Sequence, residues 1–181
     1  MNWGGRAMSQ TDARGQFSLA GLEQQGLTGF LTVRELRESK LEVVPQGPGV
    51  YVVLRPLDGK PAFLDRSKGG HFKGNDPTVA RAILDEKWVI GAVVVYVGKA
   101  TAGSSGRSGL RKRLGQLLDY GSGKPIGHQG GRYLWQVPGS DEFVVAWRVV
   151  DDPTTEENQL LSAFYAAYGA YPFANIAGPR A

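Results

Sequence analysis

The side chains in this sequence that could do chemistry are few, and five places stand out. Tyr51 sits in GPGVYVVLRP and Tyr96 in VVVYVGKA, each in an apolar run beside glycine, and Lys99 closes the second run. Arg113 lies in GLRKRL, Glu157 in EENQLLSAF and Asn175 in PFAN. Phenols, an ammonium, a guanidinium and a carboxylate can steer protons, neutralise developing negative charge and hold a hard cation. Other chemistries are excluded at once. With no cysteine there is no thiolate nucleophile, no disulfide and no sulfur-ligated zinc. Two histidines, His71 and His128, are too few for a multi-histidine metal centre.

Glu157 is the carboxylate with the most informative position. At 100° per residue Leu160, Leu161, Phe164 and Tyr168 form one apolar helical stripe, and Glu157 projects into it while Glu156 falls off it. A carboxylate on the core side of a helix start is costly unless something binds it. Two readings meet that cost. Thr154 and Glu157 have capping-box spacing, so Glu157 could accept a backbone N–H, or it could hold a metal ion.

Charge is unevenly placed. The chain carries a formal +4, yet Lys99, Arg107, Arg111, Lys112, Arg113 and Lys124 face only one acid, Asp119, a local +5. Arg111 and Lys112 read as surface charges suited to phosphate, and the whole window points to a phosphate-bearing partner. Nucleotide loops do not account for it. YGSGKP lacks the earlier glycine of a phosphate loop, and proline follows Lys124 where Ser or Thr is required.

The elements that must position these groups follow from local pattern. Residues 1–16 read as loosely held. Thr32 and Glu35 make a capping box for a helix from Val33 to Ser39. A strand is predicted over Gly49 to Arg55, and irregular chain over 61–76. A helix capped by Asp76 and Pro77 runs to Lys87, and a strand covers Val89 to Val97. Leu110, Leu114, Leu117 and Leu118 form the stripe of a basic helix. YLWQV and EFVVAWRVV read as two further strands, with a hairpin around PGSDE between them. DDPTTEENQLLSAFYAAYG reads as a final helix ended by Gly169. The layout is α+β. No apolar run approaches the length of a membrane span and the start lacks a signal-peptide core, so a cytoplasmic location is expected.

Taken in order from about Gly47 to Asn175, these features resemble the GIY-YIG nuclease family. VYVGKA followed by LRKRL is similar to the nuclease domain of the excision-repair incision enzyme. The resemblance implies a small mixed or antiparallel β-sheet flanked by helices. It divides the chain into an N-terminal extension, residues 1–45, and a catalytic domain, residues 46–181. The two tyrosines stand 45 positions apart, where the family has a short hairpin, so about 56–88 must be a helical insertion between the first two strands.

The implied activity is metal-dependent endonucleolytic hydrolysis of DNA, with one Mg²⁺ or Mn²⁺ and no nucleotide cofactor. Glu157 would hold the ion and Arg113 would stabilise charge on the attacked phosphate. Tyr51 or Tyr96 would orient or deprotonate the water, Lys99 would assist electrostatically, and Asn175 would orient Glu157 or the phosphate. Many members carry His or Tyr four residues after the arginine. Leu117 stands there in this chain, leaving His128 or Tyr120 for that auxiliary role. DNA contacts would come from Lys99, Arg107, Arg111, Lys112, Arg113 and Lys124. The alternative is a nucleic-acid-binding module that keeps the fold without catalysis. Neither reading involves a membrane.

Overall fold

The protein is described by a computed structural model that covers residues 10–103, 108–127, 130–176 and 178. It is α+β. Four strands, β1 (Thr28–Thr32), β2 (Gly49–Leu54), β3 (Val94–Ala100) and β4 (Val144–Val149), form one antiparallel sheet in the order β1-β4-β2-β3. Six helices are described: α1 (Gln10–Gly15), α2 (Leu19–Gln24), α3 (Val33–Glu38), α4 (Arg81–Lys87), α5 (Leu110–Gly121) and α6 (Pro153–Tyr168). Among the described residues no helix is long and apolar enough to cross a membrane.

Strand β2 is apolar at every position after its glycine because both faces of the sheet are covered. On one face Tyr51 and Val53 meet Leu110, Leu114, Leu117 and Leu118 of α5, all buried. On the other, Val50, Val52 and Leu54 meet Leu160, Leu161 and Phe164 of α6. Each buried leucine contributes about 1.5–3 kcal/mol relative to exposure, so the two stripes alone fix where α5 and α6 lie. Helix α6 begins where Asp152 accepts N–H bonds from Thr154 and Thr155 (3.1 Å each) with Pro153 in the first turn, and it ends at Gly169 in the left-handed region. Thr32 and Glu35 form the expected capping box of α3.

Several expectations are corrected. Asp76 does not cap a helix. Its carboxylate accepts from Thr78 N (2.8 Å) in a local turn, and the Val79 N–H is taken by the buried Gln136 side chain (2.9 Å), so α4 starts only at Arg81. The strand expected from Val89 starts at Val94, because Gly91 adopts a positive φ in the turn that precedes it. YLWQV is not a strand. Residues Arg132–Gln136 form a 3-10 turn in which Tyr133, Leu134, Trp135 and Gln136 are all buried, and no hairpin surrounds PGSDE. Residues 10–15, read as loose, are helical, and Arg14 Nε donates to Ala167 O of α6 (3.1 Å).

Strand β1 was not foreseen. Its residues Gly29 and Phe30 have positive φ and its register with β4 shifts between Gly29 and Leu31, which hides the alternation. The Trp147 indole lies over Gly29, where a side chain would collide with it. The stretch before residue 46 therefore supplies one edge of the same sheet.

The long connection from β2 to β3, residues 55–93, is held beside the sheet rather than within it. Gln136 Nε2 donates to Leu64 O (3.0 Å) and Val79 O (2.8 Å), and Leu64 N and Lys68 N donate to the carbonyls of Gln136 and Trp135 (2.9 Å each). Phe63 and Trp88 pack on Phe173 from the C-terminal segment. With its connection anchored elsewhere, β3 pairs directly with β2 despite the separation in sequence.

Candidate functional site

Antiparallel register decides what the two tyrosines do. Tyr51 stands opposite Gly98, and Val53 opposite Tyr96, so Tyr51, Tyr96 and Gly98 share the α5 face of the sheet. The Tyr51 ring lies across Gly98: a Cβ at that position would meet Tyr51 Cζ at 2.5 Å. The glycine of the Tyr-Val-Gly triplet is there to make room for the other strand's tyrosine. The two rings then pack at 6.0 Å between centroids.

The tyrosines differ in access. Tyr51 is wholly enclosed. Burial first, and the neighbouring Tyr96 phenol second, push its pKa well above the usual 10.0, opposed in part by the Arg113 guanidinium. It is a protonated phenol at neutral pH. Tyr96 reaches a cleft of about 330 Å³, lined also by Lys99, Arg113, Glu157 and Asn175. The cleft sits at the outer edge of β3, where side chains from both faces of the sheet meet the start of α6 and the start of α5.

Glu157 enters from α6. The capping reading gives way, because Asp152 occupies the N-cap and serves the first N–H groups. Glu157 is instead paired with Lys99 (Oε2–Nζ 3.0 Å), their side chains 16% and 26% exposed. Glu156, one residue back, is similarly screened but pairs with Arg148 of β4, away from the cleft. Direction along the helix separates the two acids; burial does not.

Arg113 enters from the first turn of α5, with a long contact to Gln116 (3.4 Å), and lines both the cleft and an adjoining basic pocket. Asn175 is occupied. Its Oδ1 accepts from Val97 N (2.9 Å) and its Nδ2 donates to Val97 O (2.8 Å), while Ala174 N donates to Val95 O (2.8 Å). The C-terminal segment thus covers the free edge of β3 as a further strand would, and Asn175 stands at the cleft wall as an edge clamp.

The basic window disperses. Arg111 is spent on backbone carbonyls, Nε to Val44 O and a terminal nitrogen to Glu42 O (2.8 Å each), which staples α5 to the turn before β2. Lys124 pairs with Asp119 (2.7 Å) past the far end of α5, about 12 Å or more along the helix from Arg113. Lys112 is exposed beside Ser108 in the basic pocket. Arg107 and His128 lie outside the described residues. Tyr120, in the last turn of α5, is buried in the core and does not line the cleft.

Sequence reasoning missed Gly130, which lies against the Tyr96 hydroxyl. A Cβ there would meet that oxygen at 2.9 Å. The Gly-Gly pair at 130–131 was its only sequence signal. The Lys99–Glu157 pair had no signal at all, since its partners lie 58 positions apart.

Among the described residues no group of three or more His, Asp or Glu could jointly hold a metal. Glu157 is the carboxylate among the described cleft-lining residues, and the Lys99 ammonium already pairs with it. A small hard ion keeps most of its waters and takes one or two carboxylates plus substrate oxygens. Glu157 could serve as such a carboxylate only by giving up its pairing with Lys99, and among the described lining residues there is no second carboxylate.

No family model, curated protein or solved structure matches this chain.

Proposed function

We propose that this protein is a divalent-metal-dependent endonuclease of the GIY-YIG type, hydrolysing DNA phosphodiester bonds. The observation that carries the reading is the gathering of Tyr96, Lys99, Arg113 and Glu157 around one cleft, from strand β3 and two helices that the sequence scatters over about sixty positions. Glu157 would hold the ion, which when bound supplies Lewis-acid polarisation of the phosphodiester. The Arg113 guanidinium, planar and permanently charged, stabilises negative charge growing on the non-bridging oxygens. Tyr96 orients the attacking water by its hydroxyl. Tyr51, buried and protonated, supports the Tyr96 ring from behind rather than acting as base. Lys99 neutralises Glu157 and places a second positive charge at the phosphate. Asn175 holds the cleft wall through Val97.

The rival reading, a binding module without catalysis, draws on the Lys99–Glu157 pair: an ammonium already satisfies the carboxylate that would bind metal. Incubating purified protein with supercoiled plasmid and Mg²⁺ or Mn²⁺, with and without chelator, separates the two. The nuclease reading expects chelator-sensitive nicking that Glu157→Gln abolishes while the thermal melt is kept. DNA retention without nicking by the wild type, or undiminished nicking by Glu157→Gln, overturns it.

A further inference from the structure

The cleft does not end at its walls. At one side Lys99 and Arg113 are shared with a basic pocket of about 320 Å³ that also takes in Lys112 and Ser108. At the other, Asn175 and Ile176 are shared with a cavity of about 530 Å³ of different character. That cavity is aromatic. Tyr165, half exposed, and Tyr171 stand with ring centroids 5.0 Å apart, Tyr168 and Trp88 add further ring surface, and Ile90 and Ile176 are exposed apolar walls. Its rim carries Arg14, whose guanidinium lies over Tyr168 (5.0 Å), and Lys87, with Glu86 the one acid among its lining residues.

Helix α6 links the two chemistries. Tyr165 is eight residues beyond Glu157, about 12 Å along the axis and turned by about 80°, so it stands at the edge of the stripe into which Glu157 projects. A strand whose phosphate rests between Arg113 and Glu157 would bring its next bases, a nucleotide or two away, over Tyr165 and Tyr171. A paired base could not enter, since its faces are covered by the stack and its edge by its partner. An unpaired one could lay its face on a phenol ring, which tolerates any base. Tyr171 is partly buried against the core and holds the half-exposed Tyr165 ring at the surface, and a basic pocket on one side with ring surfaces on the other suits phosphates and bases in turn.

Resting on the nuclease reading, we propose that the Tyr165–Tyr171 cavity is a base-stacking subsite, and that the substrate is nucleic acid with an unpaired nucleotide beside the cleaved phosphate. The basic pocket at Lys112 tracks the backbone on the opposite side of that phosphate. Single strands, flaps and distorted duplexes are then substrates in preference to regular duplex.

The test measures binding without metal, apart from cleavage. A single-stranded oligonucleotide bearing 2-aminopurine, and the same sequence annealed to its complement, are titrated in chelator against wild type, Tyr165→Ala, Tyr171→Ala and Tyr165→Phe. Wild type is expected to bind the single strand more tightly and to quench its 2-aminopurine. Each alanine variant loses roughly 5- to 150-fold in single-strand affinity, since stacking on one aromatic is worth about 1–3 kcal/mol. Duplex binding is unchanged, and Tyr165→Phe keeps both affinity and quenching. Tyr165 is half exposed, so its truncation should leave the melt intact. Wild-type single-strand affinity in both alanine variants overturns the subsite. If Glu157→Gln still abolishes nicking in that case, the nuclease reading stands without it. Tyrosine-dependent quenching by a protein that never nicks supports the subsite and removes the nuclease. No binding to either oligonucleotide overturns the subsite, and the nicking assay then decides the nuclease reading by itself.

Discussion

Gly98→Ala tests the packing on which the cleft is built. A methyl at Gly98 would lie 2.5 Å from Tyr51 Cζ, 2.6 Å from its hydroxyl oxygen and 2.9 Å from Cε1. Ordinary carbon contacts stand at about 3.5–4.0 Å, so the overlap is roughly 1 Å against a ring with no exposed surface. Tyr51 can give way only towards Tyr96, whose ring already packs against it. Overpacking of this kind costs about 1–3 kcal/mol. For a chain of this size each kcal/mol lowers Tm by about 2–4 °C, so the melt should fall by roughly 2–12 °C. Urea denaturation gives the free energy directly, and Gly15→Ala, where a Cβ meets nothing within 4 Å, is the control. Tyr51→Phe should not relieve the clash, because Cζ and Cε1 remain. Tyr51→Leu should, so the Tyr51→Leu/Gly98→Ala protein should be more stable than the sum of its single losses by at least about 0.5 kcal/mol. A Gly98→Ala protein as stable as wild type, or strictly additive losses, would refute the account of why glycine follows Tyr96-Val97.

Three further outcomes are expected. Arg113→Ala should slow single-turnover cleavage about 10²-fold or more with little change in Tm, since among the described residues its side chain makes one long contact, to Gln116; an equal fall in stability would recast Arg113 as structural. Asn175→Ala should cost about 1–3 kcal/mol by stranding Val97 N–H and C=O, read by urea denaturation and by faster amide exchange at Val97; unchanged stability would return Asn175 to a purely chemical role. The Tyr51 phenol has a raised pKa in the folded chain, so its contribution to stability is full below pH 10 and is lost as pH climbs past that value. Above pH 10 wild type should lose up to about 1.4 kcal/mol per pH unit more than Tyr51→Phe; parallel curves would contradict it. The raised phenols of Tyr120 and Tyr168 are common to both proteins and cancel in the comparison.

Helices α3, α5 and α6 and strand β2 were legible, α3 and β2 each ending one residue short of the expected Ser39 and Arg55, because their signals are local. A capping box, a leucine stripe, a proline in the first turn and a terminal glycine act within a turn or two of chain. Strand β1, the start of α4 and the 3-10 turn at Arg132–Gln136 were not, because distant groups set them. Trp147 lies over Gly29, and the Gln136 amide holds Val79 extended against the helical preference around it. The site divides in the same way. The types of residue that could do chemistry, and the inward tilt of Glu157, follow from spacing along one helix. Which tyrosine lines the cleft, that Lys99 faces Glu157, and that Asn175 grips Val97 depend on strand register and on the docking of segments up to 78 positions apart. Register is a property of two chains of atoms side by side, and a shift of one residue turns every side chain to the other face. That is why no pattern within either strand could place Tyr51 across Gly98 and against the Tyr96 ring.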